Sequence, residues 1–259
     1  MKSRVITAII GAAILLILLV IGGLPFSIFI FLIAAAGYHE YIRMYEFKML
    51  SIESIWGLLA ITLIFIDNIF IDGTNSFAII LAMIVGYFFI LIFTKNHINF
   101  DRIAYLTLGV IYLTFSLVAI LEVRLMEDGL LLVLFVLAIV WGTDIGAFFI
   151  GSTFGKNRLS PAISPKKSIE GALGGIFFAF MIALAFGFLF PEASIFVLVL
   201  IAIVISVIGQ SGDLVESALK RIKNVKDSGD LLPGHGGILD RFDSLILVFF
   251  VIYIVLLFI

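Results

Sequence analysis

"GLLLVLFVLAIVWGTDIGAFFIG", residues 129–151, sets the class of this protein, because it is an apolar run long enough to cross a bilayer that carries a single charge. About 20 apolar helical residues cross the ~30 Å hydrocarbon core. The whole chain is similar in character, with 63% hydrophobic and 13% charged residues among 259. A soluble domain has about half apolar and a quarter charged residues. The composition therefore predicts an integral membrane protein.

Further apolar runs predict an all-α, polytopic membrane protein with about nine transmembrane helices. The N-terminal run, residues 1–23, lacks a small-x-small cleavage pattern, so we expect it to stay as the first span. The connections are short except for residues 152–170 and 213–237. The predicted spans are residues 4–22, 25–40, 54–72, 76–94, 103–121, 129–151, 171–190, 194–212 and 238–258.

The distribution of positive charge predicts the orientation. With nine alternating spans, 15 of the 16 Lys and Arg residues fall on one side and only Arg124 on the other. Cytoplasmic loops carry such an excess of Lys and Arg, so the N-terminus and both long loops are expected in the cytoplasm. The chain has no cysteine, which excludes disulfide and thiolate chemistry.

Asp144 is the one charged residue of the sixth span. It lies roughly 10 Å below the cytoplasmic surface, since a helix rises 1.5 Å per residue. An ionised carboxylate at this depth costs several kcal/mol unless it is paired, hydrated or metal-bound. A polar contact with Thr143 is one explanation, but intramembrane acids commonly mark functional cavities, and we interpret Asp144 in that way.

The first long loop, "GSTFGKNRLSPAISPKKSIEG" (residues 151–171), is basic and rich in hydroxyl groups. Its "GSTFGK" start lacks the glycine spacing and the Ser or Thr after Lys that a P-loop needs, and it follows no strand, so a P-loop is excluded. We expect a flexible segment, which either sets topology alone or binds a polyphosphate through charge and hydroxyl donors. The residues that suit a polyphosphate are Ser164, Lys166, Lys167 and Ser168.

The second long loop concentrates charge, because residues 210–244 hold 11 of the 34 charged residues of the chain. Topology needs only basic residues, so the five aspartates need another explanation. If the eighth span continues as a helix, Asp213, Ser217 and Lys220 share one face. The Pro and clustered Gly of "PGHGG", residues 233–237, then break the chain and permit close backbone approach to a ligand.

Three aspartates, Asp144, Asp213 and Asp240, fall near the cytoplasmic ends of three different spans, and Asp243 follows Asp240 by three residues. Hard cations take oxygen ligands and share them with substrate phosphates. The pattern therefore predicts a site for Mg²⁺ and a phosphorylated substrate. A solvated loop with helix-surface ion pairs is the alternative, and the residues that it explains are Glu216, Lys223 and Asp230.

"SALKRIKNVKDSGDLLPGHGGILDRFD", residues 217–243, resembles the signature of the phosphatidate cytidylyltransferases, or CDP-diacylglycerol synthases. Its fixed positions are all present, and their spacing is irregular, which makes the match specific. Residues 144–171 are similar to a second conserved block of that family. The first 125 residues resemble it only as an apolar scaffold.

The resemblance implies an enzyme that transfers CMP from CTP to phosphatidic acid, giving CDP-diacylglycerol and pyrophosphate. It implies Mg²⁺ dependence and a second, monovalent cation such as K⁺. The expected partners are CTP, phosphatidic acid and the lipid bilayer of the cell (inner) membrane, with no nucleic acid. The small-residue spacing Gly171–Gly175 is compatible with a homodimer or with close helix packing.

The resemblance also implies roles by motif position. Asp213 and Asp240 would bind metal, and Asp144, Asp227 and Asp243 would be further acids of the catalytic site. We expect residues 1–125 to form a scaffold and residues 126–259 a catalytic region with cytoplasmic loops. The candidates for substrate binding include the residues of the first long loop noted above. The full set is Ser164, Lys166, Lys167, Ser168, Ser217, Lys220, Arg221, Lys226, His235 and Arg241.

Two other functions fit parts of the sequence. A cation-coupled secondary transporter could use Asp144, but transporters place coupling sites near the midplane between repeats, whereas these acids gather at one face. Another nucleotide-dependent membrane lipid enzyme, such as a polyprenol kinase, is the nearer alternative. The "DGxxAR" motif of the CDP-alcohol phosphatidyltransferases is missing, because "IGAFF" follows Asp144.

Overall fold

The structure is a computed structural model that describes residues 2–95, 97–190, 192–231 and 236–258. Over these residues the chain forms nine helices, and each coincides with one predicted span to within a few residues except at the extended end of α8, so the predicted all-α class is confirmed. The helices are α1 (Lys2–Ile21), α2 (Gly23–Met44), α3 (Ile52–Phe70), α4 (Ser76–Phe93), α5 (Phe100–Leu125), α6 (Gly129–Phe154), α7 (Ile169–Leu189), α8 (Ile195–Ile222) and α9 (Leu239–Leu256).

Seven of the helices in the described part of the chain, α2 to α8, are long and apolar enough to cross a membrane. The apolar part of α1, Ile9–Ile21, is shorter. In α9 the charged residues Asp240, Arg241 and Asp243 lie close to its first residue. The repeated apolar surfaces of these helices are those of a multi-pass membrane protein.

The chain divides into two compact units. The first contains the described residues up to Glu122, Val225–Arg241 and the described residues from Phe249 onward. The second contains Val123–Asn224 and Phe242–Val248. The separation into a scaffold and a catalytic region concerns function, and it stays a prediction.

In the first unit, neighbouring helices pack in chain order from α1 to α4. Tyr41 on α2 and Tyr105 on α5 stack with ring centroids 4.1 Å apart. Each hydroxyl donates to the backbone oxygen of the other residue, over 3.1 Å from Tyr41 and 2.8 Å from Tyr105. This reciprocal pairing satisfies both hydroxyl groups and holds α2 against α5.

In the second unit, α6, α7 and α8 pack against one another, and glycines allow the α6–α7 approach. A Cβ atom at Gly171 would lie 2.9 Å from the Ala147 backbone oxygen, and one at Gly175 would lie 2.9 Å from that of Thr143. Both glycines of the small-residue pair therefore serve helix packing within the chain. The homodimer stays a prediction.

The loop between α6 and α7 is a hairpin rather than the flexible segment that we expected. Strand β1 (Arg158–Ser160) pairs antiparallel with β2 (Ser164–Ser168). The Glu170 carboxylate accepts hydrogen bonds from the backbone N–H groups of Lys156 and Asn157, at 3.0 and 3.2 Å. These bonds fix the entry to the hairpin, so the expectation of a flexible segment was wrong.

Gly175→Val should lower the melting temperature of the protein in detergent. The added side chain would meet the Thr143 backbone and Cγ2, both 2.9 Å from the Cβ position, and such overpacking costs about 1–3 kcal/mol. Gly11→Val is the matched control, because no described atom lies within 4 Å of its Cβ position. Equal melting temperatures for both variants would contradict the proposed close packing of α6 and α7.

Candidate functional site

The second unit contains a cavity of about 480 Å³, within the ~300–1,000 Å³ range of small-ligand pockets. Its wall is formed by α6, the hairpin, α7 and α8. The lining combines charged residues with apolar ones such as Phe148 and Leu159. The remaining lining residues are Asp144, Ala147, Gly151, Ser152, Lys166, Lys167, Ser168, Gly171, Ala172, Gln210 and Asp213.

One lysine and two aspartates of the cavity wall lie close to one another. The Lys167 ammonium lies 2.5 Å from Asp213 Oδ2, and the two side chains are 26% and 33% exposed. Asp144 is near enough to interact electrostatically with both. The arrangement brings the acid of the sixth span together with that of the eighth, and it places a cation against them.

Contacts between helices fix the part of α6 that carries Asp144. The adjacent Thr143 is buried, and its hydroxyl donates to Ser206 Oγ on α8 over 3.0 Å. Gln210, one turn further along α8, donates from Nε2 to Ser206 Oγ and to the Ala172 backbone oxygen, both over 3.3 Å. The hydroxyl of Thr143 is thus used to join α6 to α8, while the carboxylate of Asp144 faces the cavity.

The hairpin carries Lys166 and Lys167 into the cavity wall. Ser168 Oγ accepts from the Gly171 N–H over 3.1 Å and caps the start of α7. At the hairpin tip, Arg221 Nε donates to the Ile163 backbone oxygen over 3.3 Å. Ser168 and Arg221, both predicted to bind substrate, therefore also hold the hairpin in place.

The predicted extension of α8 is confirmed, since the helix runs to Ile222. Ser217 Oγ donates to Asp213 Oδ1 over 3.3 Å, as expected of neighbours on one face. Glu216 and Lys220 form an ion pair at 2.7 Å, with side chains only 9% and 13% exposed. This pair is largely buried, whereas the sequence alone suggested a surface contact.

Asp243 on α9 adds another carboxylate to the second unit. It interacts electrostatically with Asp213, Glu216 and Asp144. Carboxylates that share a poorly hydrated region repel each other, so such a group calls for cations. Lys167 and Lys220 supply part of the positive charge that these carboxylates need.

Asp240 belongs to the first unit. Its Oδ2 accepts hydrogen bonds from Ser228 N, Ser228 Oγ and Gly237 N, at 2.9, 3.0 and 2.8 Å. Gly236 has a φ of +81°, and a Cβ there would lie 2.7 Å from Asp240 Oδ2 and 3.5 Å from Asp227 Cβ. The turn thus packs tightly around the Asp240 carboxylate.

The other predicted site residues have simpler surroundings. Asp227, Lys226 and Arg241 are exposed, and Ser164 lies on β2. His235 lies outside the described residues. Sequence reasoning missed Glu170, which holds the start of the hairpin, and Gln210, which lines the cavity. A single polar residue within a helix or at its end forms no recognisable sequence motif.

The residues of the second unit fit an Mg²⁺ ion by donor chemistry. Across the described ranges, no three His, Asp or Glu side chains converge as a metal-binding group. Mg²⁺ is commonly held by one or two carboxylates, with substrate phosphates and water as the other ligands. Asp144 and Asp213 meet that requirement, while the metal role of Asp240 stays a prediction.

Comparison with known proteins places the chain in a family. The model of the Cytidylyltransferase family matches residues 2–259. Phosphatidate cytidylyltransferase of Bacillus subtilis is 38% identical over 263 residues, covering 99% of this chain and 97% of that protein.

Two staphylococcal proteins of the same name are similar to this chain at comparable identity. The protein of Staphylococcus epidermidis is 41% identical and that of Staphylococcus haemolyticus 38%, each covering 96% of both chains. The family match extends over both units, including the first 125 residues, where the sequence alone gave only a general likeness. The chain is a membrane enzyme and belongs to the cytidylyltransferase family.

Proposed function

We propose that this enzyme transfers CMP from CTP to phosphatidic acid, forming CDP-diacylglycerol and releasing pyrophosphate. The observation that carries the proposal is the cavity in which Asp144 of α6 and Asp213 of α8 meet Lys167 of the hairpin. Relatives named phosphatidate cytidylyltransferase match nearly the whole chain and supply the substrate class.

The reaction needs charge compensation more than a strong base. An oxygen of the lipid phosphate forms a bond to the α-phosphorus of CTP, and the bond from that phosphorus to the pyrophosphate oxygen breaks with its electron pair. A phosphate monoester carries about −1.5 to −2 charge at neutral pH, so its oxygen is already a nucleophile. No Ser or Cys nucleophile is therefore required.

Repulsion between the two phosphate groups is the main obstacle. Two unit charges at ~4 Å repel by about 4 kcal/mol at an effective dielectric of 20. Lys166 and Lys167 lie on the cavity wall, where their charges offset this repulsion. Lys167 also pairs with Asp213, so its ammonium would interact both with this carboxylate and with a bound phosphate.

When bound, Mg²⁺ would neutralise phosphate charge and stabilise the departing pyrophosphate. Asp144 and Asp213 would hold it together with phosphate oxygens, and we assign Asp240 the same function on the resemblance alone. Asp227 and Asp243 are proposed as supporting acids. The monovalent cation, K⁺, belongs to the same proposal.

The apolar side chains of the cavity wall suit a lipid substrate. They include Phe148, which is 70% exposed, and Leu159. We propose that the diacyl chains stay in the bilayer beside α6 while CTP enters from the cytoplasm. The excess of Lys and Arg in the predicted cytoplasmic loops supports this orientation.

Purified protein in detergent with CTP labelled in its cytidine, phosphatidic acid and Mg²⁺ should produce a labelled lipid. Asp213→Asn should reduce its formation by at least about 100-fold, because one charge that orients both Lys167 and the metal is lost. Asp72→Asn is the control, since Asp72 is exposed and its φ of +60° is well tolerated by Asn. Full activity of Asp213→Asn would remove that residue from the mechanism. If the wild type formed no cytidine-labelled lipid, the proposed reaction would be refuted.

Lys167→Gln should lower kcat and raise KM for CTP, with a combined loss in kcat/KM of about 10²–10³, because a charge aimed at the phosphates is lost. Lys48→Gln, at an exposed position on the α2–α3 connection, should leave both constants unchanged. Steady-state kinetics with both substrates varied measures the effect. An unchanged kcat/KM for Lys167→Gln would show that this ammonium does not act on the phosphates.

A further inference from the structure

Glu40 is a buried acid near the end of α2, in the half of the chain that resembles the family least in motif. Only 2% of the residue is exposed. It accepts hydrogen bonds from Ser228 Oγ at 3.1 Å, Ile238 N at 2.9 Å and Leu239 N at 3.0 Å. All three donors belong to the signature segment, residues 217–243. One side chain of α2 therefore binds this segment both at Ser228 and at the start of α9.

These contacts complete the start of α9. Ile238 is the N-cap residue of this helix and has no side-chain cap, so the first N–H groups need another acceptor. A carboxylate at a helix N-terminus also interacts favourably with the helix dipole. Glu40 supplies both the acceptor and the negative charge from a different helix.

The glycines of the segment fit tightly around Glu40. A Cβ atom at Gly237 would lie 2.3 Å from Glu40 Oε2, and one at Gly229 would lie 2.6 Å from Glu40 Oε1. Any larger residue at either position would displace the carboxylate. The backbone at Gly229 and Gly237 therefore approaches Glu40 more closely than a side chain would allow.

Ser228 connects Glu40 with Asp240. Its hydroxyl lies 3.1 Å from Glu40 Oε2 and 3.0 Å from Asp240 Oδ2, and it can donate to one of them at a time. The Ser228 and Gly237 N–H groups also donate to Asp240 Oδ2. The turn that orients the Asp240 carboxylate is thus the turn that Glu40 holds.

We propose that Glu40 is a positioning residue for the cytidylyl transfer, acting through Ser228 and the start of α9 to orient Asp240. The inference rests on the proposed function. Glu40 does not itself contact substrate. It fixes the backbone from which the signature aspartate projects.

Glu40→Gln tests the proposal, because an amide keeps the size of the side chain but replaces one acceptor oxygen with a donor that faces N–H groups. We expect kcat to fall by about 10–100-fold, the usual effect of losing a partner that orients a metal ligand. KM for CTP should change by less than about threefold, since the cavity of the second unit is untouched. The Mg²⁺ concentration for half-maximal activity should rise by about tenfold.

Hydrogen–deuterium exchange without metal or substrate provides a readout independent of activity. In Glu40→Gln, amides of residues 236–241 should exchange faster, while those of α6 to α8 exchange as in the wild type. Glu53→Gln is the matched control, because Glu53 is also buried in the first unit and its carboxylate makes no hydrogen bond to the described part of the signature segment. It should leave kcat and this exchange pattern unchanged.

A double-mutant cycle with Ser228→Ala tests the route. If Glu40 acts through Ser228, the two losses in kcat should combine to clearly less than their product. Glu40→Asp, which keeps the charge on a shorter side chain, should recover part of kcat and part of the protection. It also gives a measurable variant if Glu40→Gln does not fold.

Three results would overturn the proposal: wild-type kcat in Glu40→Gln, faster exchange throughout the protein with a proportional loss of folded enzyme, or fully multiplicative effects in the cycle. Failure of the proposed function is distinguishable, because the wild type would then form no cytidine-labelled lipid. In that case the exchange measurement still reports whether Glu40 holds the turn.

Discussion

The fold depends on one constraint, which is that carboxylates in poorly hydrated surroundings need a partner. Burying an isolated charge costs far more than most contacts return, so each such acid dictates what lies beside it. Asp213 is met by Lys167, Glu216 by Lys220, and Glu40 by three donors of the signature segment. The polar chemistry of this membrane enzyme therefore occurs as paired and hydrogen-bonded groups within an apolar framework.

The sequence was sufficient for the helices, because burial in hydrocarbon demands long apolar runs and satisfied backbone groups. It also predicted that Asp144 and Asp213 lie near each other, because both fall near the cytoplasmic ends of their spans, and the structure places them with Lys167 on the wall of one cavity. It was insufficient for the hairpin, whose order comes from single side chains such as Glu170 with no periodic pattern. Glu40 ends a predicted span, where an acid at the membrane interface is ordinary, and only the folded chain buries it.

The two units divide the polar residues differently from the division into scaffold and catalytic region that the motifs suggested. The signature segment is contiguous in sequence, yet its part up to Asn224, which includes the end of α8, belongs to the second unit and Val225–Arg241 to the first. A sequence motif records which residues a reaction needs. It does not record which parts of the chain support them, and here helix α2 supports residues nearly 200 positions away.

The glycine contact between α6 and α7 has a consequence for how the enzyme responds to its lipid surroundings. Where backbone meets backbone, no rotamers are available to absorb sliding of one helix along the other. A change in bilayer thickness must then be accommodated by tilting of the pair as a unit or by the surrounding lipid. The Asp144 carboxylate would keep its register with the hairpin lysines in thin and thick membranes alike, so the geometry of the proposed site would not change with lipid composition.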